Sequence, residues 1–189
     1  FDGDAIPPML ALEIARKGSI EACRTIYCGS FSKTLSPGLR VGWICAAKDV
    51  IGRLVLMKQA ADLHSSTINQ MAIAHVATAM FDTHVDSVRA VYRSRRDAML
   101  TALETHMPKG VHWTRPEGGM FIWLTLPESM NGGDLLAQSL TSQRVAFVPG
   151  SAFYADGSGT NTLRLSFSRA DAPTIAAGIK RLAALIAAV

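Results

Sequence analysis

The sequence predicts an α/β protein in which a strand-and-helix region leads through a connector helix into a compact second lobe. Three observations predict it. Two short β-favouring runs, Arg24 to Cys28 and Val41 to Ala46, flank a Ser-, Gly- and Pro-containing segment. Helical spacing of apolar residues then dominates from Lys48 to Met107, and from residue 108 to the end strand-like and helical stretches alternate. With 189 residues, 49% of them hydrophobic, the chain has enough apolar material for a core.

Taken in order, residues 1 to 8 contain Gly3, Pro7 and Pro8 and read as a loop. The run Val41 to Ala46 (VGWICA) suits a largely buried strand. From Lys48 to about Met80 the pattern is helical but broken at Leu63, His64, Ser65 and Ser66, which predicts two helices joined by a Ser-rich turn. Val85, Val88, Tyr92, Met99, Leu103 and Met107 line one face of a long amphipathic helix that Pro108 and Gly110 end. Beyond it, strands are expected at Met120 to Leu126, Val145 to Val148 and Thr162 to Phe167, with a helix from Asp134 to about Ser142. A closing helix is capped by Asp171, carries Pro173 in its first turn, and presents Ile175, Ile179, Leu182 and Ile186 to the core. The resulting division is 1–84, a connector at 85–107, and a small domain at 108–189.

Charge and cysteine content narrow the function classes. Nineteen Lys and Arg against fifteen Asp and Glu leave a net charge of +4. The basic residues are scattered apart from Arg93, Arg95 and Arg96, which read as a solvated helix face, so nucleic-acid binding is expected only if a DNA-binding domain precedes this chain. Cys23, Cys28 and Cys45 form no CxxC pair; they suit a reducing cytoplasm and read as small buried hydrophobes, with no metal site expected. No apolar run has membrane-spanning length.

The segment Gly29-Ser-Phe-Ser-Lys-Thr-Leu-Ser-Pro-Gly-Leu-Arg-Val-Gly42 joins a primary amine, hydroxyls and a guanidinium. Lys33 lies between serines, and Arg40 follows seven residues later. This set can hold a phosphorylated aldehyde. The amine forms an imine once desolvation or nearby positive charge lowers its pKa, and the hydroxyls and the guanidinium fork bind the phosphate. The demand on structure is a pocket around Lys33.

This stretch resembles the lysine motif of the class I/II aminotransferases of fold type I, in the α-aminoadipate and kynurenine aminotransferase-like subgroup. The resemblance extends to Arg115-Pro-Glu-Gly-Gly-Met-Phe-Ile-Trp, to Val145-Ala-Phe-Val-Pro-Gly-Ser-Ala-Phe and to Arg164-Leu-Ser-Phe-Ser. It implies the C-terminal part of that fold: a remnant of the large mixed-sheet domain plus a small α/β domain. It also implies pyridoxal 5'-phosphate as cofactor, with Lys33 as Schiff-base lysine and proton carrier. Ser30, Ser32 and Arg40 are implied at the cofactor phosphate and Arg164 at the substrate α-carboxylate. The implied reaction moves an amino group between an apolar, aromatic or aminoadipate-like α-amino acid and a 2-oxo acid, in a cytoplasmic homodimer.

Other family positions have no counterpart in residues 1 to 32: the Gly-rich phosphate turn, the ring-stacking aromatic, and the Asp that pairs with the pyridine nitrogen. The expectation is therefore half of an active site, on a chain that is part of a longer polypeptide. Two alternatives stay open, an effector domain of a winged-helix transcription regulator and a non-catalytic fragment. Gly118, Gly119 and Gly150 read as turn framework, Phe153 and Tyr154 as substrate-lining or packing residues, and His64 as a turn or dimer-contact residue.

Overall fold

A computed structural model describes residues 1–189, which divide into two compact units, Asp4–Val88 and a second made of Phe1–Gly3 with Arg89–Val189.

The first unit opens with α1, Met9–Lys17, a helix not anticipated from the sequence. Pro8 precedes it in extended conformation, and Gly18 ends it at φ 78, donating its N–H to the Ile14 carbonyl at 2.7 Å. Glu13 pairs with Lys17 one turn on (2.7 Å) and accepts the N–H groups of Arg24 and Thr25. Those bonds, the one from Lys17 first, hold its carboxyl far below the usual range.

Strand β1, Tyr27–Ser30, pairs antiparallel with β2, Gly42–Cys45, in a two-stranded ribbon. Gly29 faces Trp43 across the ribbon, and a Cβ there would lie 2.2 Å from the indole, so only glycine lets the ring cross. The first strand thus begins three residues later than its β-propensity suggests. The ribbon is also not the buried pair expected: three of the four residues of β2 are exposed, as is Cys28, whereas Cys23 is buried and Cys45 half-buried. Strand burial depends on what covers the sheet faces, and in this chain they are covered only in part.

Helix α2, Lys48–Asp62, buries no residue, and it ends at Leu63 with φ 65. After the Ser-rich break α3 runs Thr67–His106, interrupted by non-helical Met80 (φ −151, ψ 17). The connector expected to begin at Val85 is therefore the later part of a longer helical run. The part before the kink matches the second of the two helices expected up to about Met80, and the apolar residues from Val85 onward carry the core-facing stripe.

The second unit is built on an antiparallel sheet of order β3-β4-β6-β5, formed by β3 (His112–Trp113), β4 (Phe121–Thr125), β5 (Val148–Pro149) and β6 (Thr162–Ser166). Only Val148 of the strand expected at 145–148 pairs. Helix α4, Gly132–Gln138, starts two residues before Asp134 because the Asn131 side chain caps it, accepting from the Gly133 N–H at 2.8 Å; a π-turn over Ser139–Gln143 continues it. Helix α5, Ala172–Ala188, is capped by Asp171 accepting from the Thr174 N–H at 3.0 Å. Leu103 of α3, Ile122 and Leu124 of β4, Leu163 and Leu165 of β6, and Ile175, Ile179, Leu182 and Ile186 of α5 form one core around Phe167.

The Arg cluster is not the solvated face expected. Arg96 is buried and bonded to Asp2 (2.5 Å) and Asp97 (2.8 Å), Arg93 pairs with Asp2, and Arg95 donates to the Ser168 carbonyl. Burial works against the charge on Arg96, but its two carboxylate partners outweigh it and raise its pKa, while the bond from Arg96 lowers that of Asp2. A basic run on a helix cannot be read as solvated when carboxylates lie far away in sequence.

Candidate active site

The lysine segment forms a loop pinched at its base. Ser30 stands opposite Gly42 at the end of the ribbon, and the Phe31 N–H donates to the Val41 carbonyl at 3.1 Å. The pinch gathers residues 31–41 over one end of the two strands. Inside it, the N–H groups of Leu35 and Ser36 both reach the Phe31 carbonyl (2.9 and 3.0 Å), making one helix-like turn that carries Lys33. A 3₁₀ turn at Pro37–Leu39 follows, and Asn69 donates its side-chain amide to the Leu39 carbonyl at 3.0 Å. Arg40 then takes a left-handed backbone (φ 52, ψ 39), a strained choice for a residue with a Cβ and one that marks functional loops.

Ser30 Oγ donates to Ser32 Oγ at 2.9 Å and accepts the Ser32 N–H at 3.1 Å. Arg40 donates one Nη to the Pro37 carbonyl at 3.2 Å. Lys33 makes no hydrogen bond or ion pair and is exposed. The loop thus brings Ser30, Ser32, Lys33 and Arg40 onto one short segment, but the pocket demanded around Lys33 is not formed by this chain. That expectation is corrected: the ribbon end and α3 flank the loop, and the Lys33 side chain stays exposed.

Arg164 lies in β6 of the second unit, flanked by Leu163 and Leu165, whose side chains enter the core. Strand alternation turns Arg164 to the opposite face, where it stands opposite Trp123 of β4 and Val148 of β5. It is half-buried, and its guanidinium carbon lies over the Phe121 ring at 3.9 Å and over the Phe153 ring at 4.5 Å. No carboxylate or carbonyl pairs with it. Phe153 packs edge-on against Trp123 (5.5 Å, 68°), and Tyr154 leans on the same indole, so the two aromatics after the Gly150 turn pack locally. A Cβ at Gly150 would overlap Thr162 Oγ1 at 1.7 Å, so the 3₁₀ turn Gly150–Phe153 closes this tightly only with glycine. His64 is exposed, with Nδ1 2.8 Å from the Ser65 carbonyl, in a turn.

Sequence reasoning missed Phe121 as a neighbour of Arg164. The signal was present once strand pairing is known, because Phe121 sits two residues before the cross-strand partner of Arg164, on the same face and diagonal to it.

The lysine loop, with its hydroxyls and left-handed arginine, offers groups that could hold a phosphorylated aldehyde, and the unpaired strand arginine offers donors that could hold a carboxylate. The family model for aminotransferase class I and II matches residues 7–182, and the chain belongs to that family. It is 45% identical over 182 residues to the 2-aminoadipate transaminase of Thermus thermophilus, spanning 96% of this chain and 45% of that protein. It is 37% identical to the HTH-type transcriptional regulator YdfD of Bacillus subtilis, over 97% of this chain and 36% of that one. Among solved structures it superposes with a TM-score of 0.91 and 42% identity on the α-aminoadipate aminotransferase of Thermus thermophilus complexed with N-(5'-phosphopyridoxyl)-L-leucine, covering 98% of this chain and 47% of that one. The fold is that of the C-terminal portion of a fold type I aminotransferase. The chain spans about half the length of the relatives it matches.

Proposed function

We propose that this chain carries the cofactor lysine and the substrate-carboxylate arginine of a pyridoxal-phosphate-dependent aminotransferase. The observation that carries the reading is the pinched 31–41 loop, which carries an unpaired primary amine, a serine hydroxyl and Arg40 on one short segment that Ser30 closes. These residues fit the cofactor. Lys33 would bind its aldehyde carbon, and Ser30, Ser32 and Arg40 its phosphate, through charge-assisted bonds of the kind a guanidinium fork favours.

The bound cofactor supplies an electron sink for the carbanion at the substrate α-carbon. Everything else falls to side chains. Lys33 would hold the cofactor, and its amine could also take up the substrate α-proton, so one nitrogen would serve as anchor and base. Arg164 would bind the substrate through its α-carboxylate. The substrates proposed are an apolar, aromatic or aminoadipate-like α-amino acid and a 2-oxo acid. Support comes from the relative's action on 2-aminoadipate and from the leucine adduct bound to the similar structure.

Because Lys33 is exposed, the proposal includes residues beyond this chain that enclose it, and a homodimer in which the unburied α2 surface is a contact. Segment 85–107 is proposed as the connector between the two domains. The accessible thiol of Cys28 suits a reducing, cytoplasmic location. The similarity to a transcription regulator favours one second reading, a domain that binds the cofactor but turns over slowly.

The test is cofactor titration of the full-length polypeptide that contains this chain, with and without Lys33→Ala. The wild type is expected to develop the absorbance of lysine-bound cofactor and to transaminate. The variant should lose that band and at least about 10²- to 10⁴-fold in rate, the scale of losing a general base. A wild-type polypeptide that takes up no cofactor contradicts the proposal.

A further inference from the structure

We infer that Phe121 and Phe153 are positioning residues that hold the Arg164 guanidinium ready for a carboxylate without using any of its donors. The inference rests on the reading of Arg164 as the substrate-carboxylate residue and goes beyond it.

A long, flexible arginine loses considerable rotamer freedom when held in one place, so something must hold it. Proteins commonly do this with an acidic partner, but a carboxylate beside Arg164 would occupy its N–H groups and cancel the charge meant for substrate. Here no acidic partner exists. The guanidinium is half-buried, makes no hydrogen bond or ion pair, and instead lies over two aromatic rings at 3.9 and 4.5 Å. A cation over a ring face is attracted by the ring quadrupole, and no N–H is consumed. All five donors remain for an incoming carboxylate.

Both rings are placed by backbone features that do not involve Arg164. Phe121 is fixed by the β4–β6 register, which puts it diagonal to Arg164 on the same sheet face. Phe153 is 48% exposed and would be free to swing, but the Gly150–Phe153 turn carries it back over the sheet and Trp123 braces it edge-on at 5.5 Å. The receptor is therefore organised before substrate arrives.

The experiment uses the cofactor-loaded full-length protein. Phe121→Leu and Phe153→Leu keep apolar bulk and remove the ring, whereas the corresponding Tyr variants keep it. Two probes are compared: 4-methylpentanoate, a non-reacting carboxylate, and 3-methylbutylamine, the decarboxylated counterpart of leucine. Each Leu variant is expected to weaken 4-methylpentanoate binding about 3- to 30-fold, the scale of a cation–π contact. Binding of the amine and the cofactor band should not change, and KM for an amino acid should rise with little change in kcat. The Tyr variants should restore wild-type values.

Equal weakening of both probes, or no rescue by Tyr, overturns the inference by showing that the rings serve packing alone. Arg164→Leu separates the two readings. If it abolishes carboxylate binding while the ring variants do nothing, only the positioning role falls; if it leaves carboxylate binding intact, the reading of Arg164 falls and the positioning role with it. Should Phe121→Leu fail to fold, Phe153→Leu, at the more exposed ring, decides alone.

Discussion

The two units of this chain handle apolar residues in opposite ways. Residues 89–189 enclose Leu103, Ile122, Leu124, Leu163, Phe167 and Leu182 completely, whereas residues 4–88 bury only Leu10, Cys23, Ala46, Ala47 and Ile73. That first unit leaves Leu56, Met57, Leu63, Ile68 and Met71 each 67% exposed or more. Local sequence quality does not account for the difference, since both regions contain regular helices and paired strands. What differs is closure. A four-stranded sheet with α3, α4 and α5 available can seal one face, but a two-stranded ribbon cannot, and its unit leaves apolar residues at the surface. The arginine belongs to the sealed unit and the lysine to the open one. Arg164 is thus held by packing within its own unit, whereas Lys33 stands exposed in its own.

Mutations can break this comparison. Leu182→Ala should cost about 2–5 kcal/mol, the usual range for emptying a closed core, and Leu56→Ala should stay within about 0.5 kcal/mol, both read from urea unfolding of the chain. Similar losses at the two sites would mean that the units are equally packed. Next in size, Gly150→Ala should destabilise by about 1–3 kcal/mol, since the added methyl must displace Thr162 and Trp123. It should also loosen the turn that carries Phe153.

Acid titration sharpens the contrast further. Asp171 and Glu13 both have depressed carboxyl pKa values, through the bond from Thr174 and the bond from Lys17 respectively. A depressed folded pKa contributes stability that is complete above the unfolded carboxylate range, near about 4. It is lost as pH falls from there through the folded value. Unfolding curves between about pH 5 and pH 2 should therefore show declining stability, and Glu13→Gln should flatten the part belonging to residues 4–88 while leaving the part from Asp171.

How much of this was legible follows the same division. Helix α5 could be read almost entirely, because Asp171, Pro173 and the Ile175, Ile179, Leu182, Ile186 face are local signals that the core then satisfies. Helix α1 was missed although Pro8, Gly18 and the Glu13–Lys17 spacing all marked it. Burial was misread where it depends on a covering layer, as at Cys28 and β2, or on a remote partner, as at Arg96 with Asp2. The loop that carries Ser30, Ser32, Lys33 and Arg40 was legible as a unit because these residues are contiguous. The rings over Arg164 were not, since they meet it only through the β4–β6 register and the turn that Gly150 permits.

The central claim is that Lys33 is the residue that bonds the cofactor. The most direct measurement is borohydride reduction of the cofactor-loaded full-length protein, followed by peptide mapping by mass spectrometry. The phosphopyridoxyl group should be found on the peptide containing Lys33. A label on Lys48, Lys58 or any other lysine, with Lys33 unmodified, would contradict the account.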